Sequence, residues 1–426
     1  MELPLPSTAK EDKSNTLKTT LLFESMAITE IFSRLPTFAK PLLYNLQLKP
    51  CLANSRCEGR VTIDLEITQP TSYLKLHSAE IDIKSATLQL ENGCMFTELP
   101  FLLEHKPMFV TFTLPNEVDA QKARLEIVFV ARLTDKTMGF CRYSFTDASA
   151  AKKLLAFTQF ESTYARKAFP CWDEPEYKAK FTVSLEVDEH MTALSNMPAV
   201  AELKLEATGK KITKSKSGID IRVYTTLGKQ YLGEFALEVA GKSIDWYTEW
   251  FAMESPLTKC DLLAVPSFAP GAMENWGLVI AREPILFMDS MKSSIQSKID
   301  VSLAVSHEIA HFWFGNLVTM FLEMVDDLWL NEGFANWIMN EALTIDNPDK
   351  LEDVFDAVTC CKPSSLIQML STYLGASVFQ KGLRDYVQKH KFANSTADDL
   401  WTAVSEASNQ NVNEIMESWT NKLATL

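Results

Sequence analysis

His307-Glu308-Ile309-Ala310-His311 places two imidazoles four residues apart, with a carboxylate directly after the first. On a helix, residues i and i+4 stack on one face, so both rings can point at one metal ion. Glu308 projects beside that face, within reach of a water attacking there. The pattern suits zinc-dependent hydrolysis, with two ligands and an adjacent general base. The bland alternative is a core helix carrying two satisfied histidines. The surroundings weigh against it. Val301, Leu303, Ala304, Ile309, Ala310 and Phe314 predict a buried helix over Asp300–Phe314, and two of only six histidines fall in it.

Such a site needs a third ligand and an open fourth position. Glu332 is the candidate. It sits in Leu328-Trp329-Leu330-Asn331-Glu332-Gly333-Phe334-Ala335-Asn336-Trp337, a second apolar helix with a single carboxylate. Burying a lone carboxylate is costly unless it is paired or bound to a metal. A surface glutamate at a helix start is the competing reading, and the apolar flanks disfavour it.

Composition narrows the rest. The chain of 426 residues has room for two or three domains, and its 46% hydrophobic and 23% charged residues are ordinary for a globular protein. A net charge of −14 argues against nucleic acid and anionic membranes as partners, and mildly favours cationic substrates such as a peptide's free amino terminus. No apolar run approaches the roughly eighteen residues of a membrane span. The start, Met1 to Asn15, is polar, and Leu17–Phe23 is too short and hydroxylated for a secretory core. Eight scattered cysteines (Cys51, Cys57, Cys94, Cys141, Cys171, Cys260, Cys360, Cys361) form no C-x-x-C pair. They read as reduced thiols in a cytoplasmic protein.

Along the chain, residues 1–33 read as a tail, with a short helix near Met26–Phe32. From residue 34 to 216 the pattern is β. Val61, Ile63, Leu65 and Ile67 alternate with polar residues, and Ile81–Leu90, Phe109–Phe112, Leu125–Ala131 and Phe181–Val187 continue the theme. Many short strands describe an all-β saddle or sandwich. The lysine-rich stretch Gly209–Ser217 reads as a solvated loop at the boundary. Residues 217–426 then mix strands (Ile221–Tyr224, Asp261–Val265, Leu278–Phe287) with helices (Tyr231–Phe251, Ala397–Ala407, Val412–Leu423). The whole is an α+β multidomain chain.

Three motifs carry a family resemblance. The first is the histidine pair, continued through Phe312-Trp313-Phe314-Gly315-Asn316-Leu317-Val318-Thr319-Met320 to Glu332. The second is Gly271-Ala272-Met273-Glu274-Asn275-Trp276-Gly277. The third is Thr158-Gln159-Phe160-Glu161 with Arg166-Lys167-Ala168-Phe169-Pro170-Cys171-Trp172-Asp173-Glu174-Pro175. Together they make the chain resemble the gluzincin class of zinc aminopeptidases from about residue 35 to 426. The resemblance implies a thermolysin-like α/β peptidase domain after the β domain, and one zinc per chain on His307, His311 and Glu332. It implies Glu308 as general base, taking a proton from water and passing it to the leaving amine. It also implies that Glu274 and Glu161, with Gln159 nearby, bind the substrate's α-ammonium through charge-assisted hydrogen bonds. Gly271, Ala272, Met273, Glu274 and Asn275 would line the peptide as an edge strand.

The chain also departs from that family. Phe355-Asp356-Ala357-Val358-Thr359-Cys360-Cys361-Lys362-Pro363 puts Cys360 where a tyrosine donates to the oxyanion, and a thiol is the weaker donor. Twenty residues, Phe312–Asn331, separate His311 from Glu332, two more than the family's eighteen, with the excess at Phe321-Leu322. Phe312 replaces a glutamine. The segments Ala335–Phe355 and Ala207–Ser217 are shortened, and the large helical domain that follows in the family is not in this sequence, which predicts a cleft open on one side. An active aminopeptidase is the first expectation. The alternative is a catalytically impaired relative that keeps the zinc- and peptide-binding scaffold. An endopeptidase is a third reading, against which Gly271–Asn275 stands.

Overall fold

The computed structural model describes residues 34–147, 150–200, 210–216, 218–320, 328–344 and 358–420. The expected tail and its short helix, and the readings at Phe321-Leu322 and Phe355, lie outside the described residues.

The first half is β. Its strands are β1 (Ala39–Cys51), β2 (Arg56–Ile67), β3 (Thr71–His77), β4 (Ile81–Leu90), β5 (Met95–Phe96), β6 (Phe101–Glu104), β7 (Phe109–Val118), β8 (Gln121–Arg132), β9 (Gly139–Thr146), β10 (Lys152–Gln159) and β11 (Lys180–Leu185). Among the described residues they form a six-stranded sheet, β11-β1-β2-β8-β4-β5, a three-stranded sheet, β3-β7-β6, and a β9–β10 pair. The alternation in β2 works as the period-two rule requires. Val61, Ile63 and Leu65 are buried and meet Ile127, Leu125 and Ala123 across the antiparallel β8 register. Residues of both larger sheets share one core, with Leu74, Leu76 and Phe112 of the smaller sheet joining Ile63, Leu125 and Phe129 of the larger. At Gly59 a Cβ would lie 2.3 Å from the Phe129 ring, so only glycine admits that ring.

The Arg166–Pro175 motif anchors this half. Arg166 is buried, and its Nε donates to Asp173 Oδ2 at 2.7 Å. His77, also buried, accepts from the Asp173 backbone N–H at its Nδ1 (3.2 Å). Burial, with Arg166 adding a like charge, pushes His77 down to about 2. The folded chain therefore holds His77 neutral in a pH range where the unfolded chain protonates it. The stability this gives is complete above the unfolded pKa of about 6.5 and is lost progressively as pH falls towards 2. Each pH unit below about 6.5 is expected to cost about 1.4 kcal/mol from this group. Urea unfolding of His77→Asn, compared with wild type between pH 6.5 and 4.5, should show a flatter fall. Parallel curves would clear His77 of this role.

The second half holds β12 (Lys210–Lys214), β13 (Asp220–Tyr224), β14 (Lys259–Val265), β15 (Ala272–Met273) and β16 (Leu278–Arg282). They form a sheet of order β12-β13-β14-β16-β15, with parallel pairing at the centre and antiparallel strands at both edges. Helices follow: α1 (Glu234–Phe251), α2 (Glu283–Leu286), α3 (Ile295–Ala310), α4 (Leu328–Thr344), α5 (Val358–Leu374), α6 (Ala376–His390), α7 (Ala397–Ser408) and α8 (Val412–Thr420). Two further strands, β17 (Thr319–Met320) and β18 (Asn394–Ser395), pair in parallel beside α3. The buried face of α1 (Ala236, Val239, Ala240, Ile244, Tyr247, Phe251) recurs at three- and four-residue steps, as an amphipathic helix on a core should.

Several expected boundaries move. Within the lysine-rich stretch, Lys210–Lys214 is not loop but an edge strand paired with β13. Leu278–Phe287 is not one strand. After Arg282 it turns into α2, with Pro284 in the first turn. The metal-motif helix begins earlier than Asp300, with Ser294 capping Ser297 N at 3.1 Å, and ends at Ala310. His311 is its C-cap, and Phe312, Trp313 and Phe314 are buried in the turn beyond. Gly315 makes that turn. Its φ of +125° excludes other residues, and a Cβ there would come 3.4 Å from His311 Nδ1.

The halves meet through an apolar cluster, Cys141 and Phe157 with Val265, Phe268 and Ile280, and through polar contacts. Asn394 Nδ2 donates to Pro175 O (2.8 Å), and Lys178 Nζ to Ala393 O (3.0 Å). No helix among the described residues is long and apolar enough to cross a membrane. Cys51, Cys57, Cys94, Cys141, Cys171 and Cys260 are free thiols.

Candidate active site

Helix α3 delivers His307 and His311 from successive turns of one face, and α4 brings Glu332 to them. His307 Nε2 lies 3.1 Å from His311 Nε2 and 3.2 Å from Glu332 Oε2, while His311 Nε2 lies 3.7 Å from Glu332 Oε1. Together the three residues form a cluster able to hold a metal ion. A tetrahedral ion with bonds of about 2.0–2.1 Å spaces its ligand atoms about 3.3 Å apart, so the donor set fits. The ring orientation fits as well. His311 Nδ1 is 3.2 Å from Phe314 O, and donating its proton there leaves the Nε2 lone pair facing the cluster.

Glu332 differs from expectation. Its side chain is 35% exposed rather than buried. Its carboxyl is nevertheless lowered, because the His307 hydrogen bond and the His311 charge outweigh desolvation. His307 is correspondingly raised: desolvation opposes the charge, and Glu332, Glu308 and Glu274 overcome it. His311, the more deeply buried ring, is lowered by desolvation.

Glu308 is buried at 8% exposure, and its Oε2 has no hydrogen-bond partner among the described residues. Burial pushes its carboxyl up to about 8; His307 opposes this, and Glu274, Glu332 and Glu161 add to it. Glu274 closes the other side, with Oε1 at 3.7 Å from His311 Nδ1. Glu161 is raised by desolvation first, then by Glu274 and Glu332. Glu308 and Glu161 are thus both raised, burial and neighbouring carboxylates acting together, and a bound cation would favour their charged forms. Gln159, buried at the end of β10, donates to Glu161 O (3.2 Å) and contacts Met273 Sδ (3.4 Å). Ala272 and Met273 form β15, the edge strand of the second half's sheet, preceded by Gly271, whose φ is +95°. Asn275 Nδ2 is buried without a partner among the described residues.

One contact had no role in the sequence reading. Asn316 Nδ2 donates to Glu274 O at 2.8 Å, so the turn after α3 holds the loop that carries Glu274. Asn316 lies within the quoted motif, but spacing alone gives an amide no partner. Cys360 falls in the first turn of α5, and its side chain lies outside the described residues.

The Peptidase M1 N-terminal domain model matches residues 40–218, and the Peptidase family M1 domain model matches 235–345 and 339–419. The chain belongs to peptidase family M1. The second match breaks within the stretch between Ala335 and Phe355 that reads as shortened. Among curated members of family M1, the chain is 42% identical to the puromycin-sensitive aminopeptidase of Caenorhabditis elegans, over 92% of this chain and 48% of that one. It is 37% identical to Aminopeptidase M1-A of Oryza sativa subsp. japonica, over 91% of this chain and 51% of that one. Against the glutamyl aminopeptidase of Bos taurus the figures are 31%, 92% and 47%. The chain spans about half the length of the curated M1 relatives it matches.

Proposed function

We propose that this chain is a zinc-dependent aminopeptidase that removes amino-terminal residues from peptides. One observation carries the reading. Glu274 stands 3.7 Å from a ring nitrogen of the cluster residue His311, and its charge reaches Glu161. A pair of carboxylates beside the cluster is what anchors an α-ammonium one residue from the bond to be cut.

His307, His311 and Glu332 would hold one zinc, which when bound supplies Lewis acidity to the scissile carbonyl and the attacking water. The remaining work belongs to the chain. Glu274 and Glu161 take the ammonium, with Gln159 supporting Glu161. The Gly271–Asn275 segment aligns the peptide along β15. Glu308, its carboxyl lowered from about 8 by the added cation, accepts the water's proton and delivers it to the leaving amine. Residues 34–216 would be an amino-terminal all-β domain and 217–426 a thermolysin-like catalytic domain. The free thiols suit a cytoplasmic site of peptide breakdown, and the net charge of −14 disfavours nucleic acid.

Purified protein should contain about one equivalent of zinc, and His311→Ala should lose it. Full retention in that variant would remove His311 from the ligand set.

Acetylating the substrate's amino terminus should abolish cleavage. Glu274→Ala should lower kcat/KM roughly 10- to 100-fold, the scale of one lost charge-assisted hydrogen bond. Equal rates on blocked and free peptides would replace the aminopeptidase reading with an endopeptidase.

A further inference from the structure

We infer that Lys259 is a positioning residue, holding from beneath the loop that presents Glu274 to substrate. This rests on the reading of Glu274 as an ammonium ligand.

Lys259 lies at the start of β14 and is 2% exposed. An ammonium has three protons, and three acceptors meet it at 2.8 Å: Asp261 Oδ2, Ser195 O and Gly277 O. A buried charge survives only when its hydrogen bonds are complete. A strand that needed nothing but packing would do as well with a hydrophobe there. What the charge gives is direction, because it gathers two backbone carbonyls from distant segments.

Gly277 ends the loop that begins at Gly271. Its carbonyl also accepts from Asp261 N (3.0 Å), and Leu278 N donates to Asn275 O (2.8 Å), forming the turn beyond Glu274. Gly277 has φ +89°, and a Cβ there would lie 2.5 Å from Asn196 O, so the Ser195–Asn196 segment is pressed against this hinge. At the loop's middle, Asn316 holds the Glu274 carbonyl. The Glu274 backbone is therefore suspended between Asn316, next to the metal cluster, and Gly277, fixed by Lys259. Arg222 Nη1, 3.5 Å from Asp261 Oδ1, steadies the carboxylate from its other side. Without the ammonium, the Gly277 carbonyl keeps only one of its two donors, and Ser195 loses its tie to the loop.

The test uses Lys259→Met/Asp261→Leu, which removes both charges at once and so leaves neither unpaired, alongside Lys259→Arg. Three quantities are read on the whole chain: zinc content, amide hydrogen exchange over residues 271–278, and kcat and KM for an aminoacyl substrate and its acetylated counterpart. The double variant should retain zinc, exchange faster over 271–278, and lose roughly 10- to 100-fold in kcat/KM, mostly through KM, as expected when a binding group shifts by about 1 Å. Its preference for the free amine should shrink accordingly. Wild-type exchange and wild-type KM in the folded double variant would overturn the proposal. Should that variant not fold, Lys259→Arg decides, since its longer head must displace the Gly277 carbonyl and unchanged exchange would equally refute the role. A wild-type chain that ignores acetylation would refute the function of Glu274 instead, and the exchange result would still judge Lys259.

Discussion

Glu308→Gln is expected to keep its zinc while kcat falls by on the order of 10²–10⁴, the usual contribution of a positioned general acid–base. The substitution preserves shape but replaces one acceptor oxygen with an NH2 and cannot take a proton. The carboxyl is in place for that task. It follows His307 on α3, it is buried, and one of its oxygens has no partner among the described residues. Left without a cation it holds its proton up to about pH 8, because burial and the neighbouring Glu274, Glu332 and Glu161 all disfavour a further negative charge. A dication bound at the cluster would oppose that balance and favour the ionised base. Steady-state kinetics on metal-loaded protein checks the point. A fall of less than about threefold, far below what a general base supplies, would show that another group accepts the proton.

Cys360→Tyr is expected to act in the opposite direction and to raise kcat roughly ten- to a thousandfold with little change in KM. The family resemblance puts an oxyanion-donating tyrosine at this position, and a missing donor of that kind costs on the order of 10²–10³. The fold places the position near the cluster. Residue 360 lies one helical turn before Pro363 in α5, and Pro363 packs on Gly333, where a Cβ would come within 2.5 Å of the proline Cβ. Gly333 directly follows Glu332. That close approach, open only to glycine, brings the second turn of α5 beside the cluster residue Glu332. A zinc-loaded variant with no gain would mean that α5 aims residue 360 elsewhere. No turnover in either form would mark the chain as a binder of zinc and peptide without catalysis.

The histidine pair was legible because a helix converts a four-residue spacing into a shared face. The β half was legible because alternation in stretches such as Val61–Ile67 has only one efficient burial. Other features depended on the third dimension. Phe312, Trp313 and Phe314 extend the apolar pattern of α3, and composition does not distinguish burial in a helix from burial in a turn. Only the backbone of Gly315 shows that the helix has ended. Four lysines between Gly209 and Ser217 look like a solvated loop, yet three of them fall in an edge strand. Glu332 seemed buried from its neighbours, but those neighbours face the core on the other side of α4. Gln159 and Met273 touch across 114 residues of sequence, a proximity that motif resemblance implies and spacing cannot supply.

The six-stranded sheet is finished by a strand made late. β1 pairs with β2 directly, but its other edge is filled in parallel by β11, from Leu43 opposite Lys180 to Leu48 opposite Leu185. On a ribosome adding about 5–20 residues per second, some 7–27 seconds pass between the emergence of these two strands. During that interval the hydrogen-bonding edge of β1 is bare, the situation in which strands recruit partners from other chains. A message truncated ahead of Lys180 would make the interval permanent, and its product should aggregate even though β2, β8 and β4 can still pair.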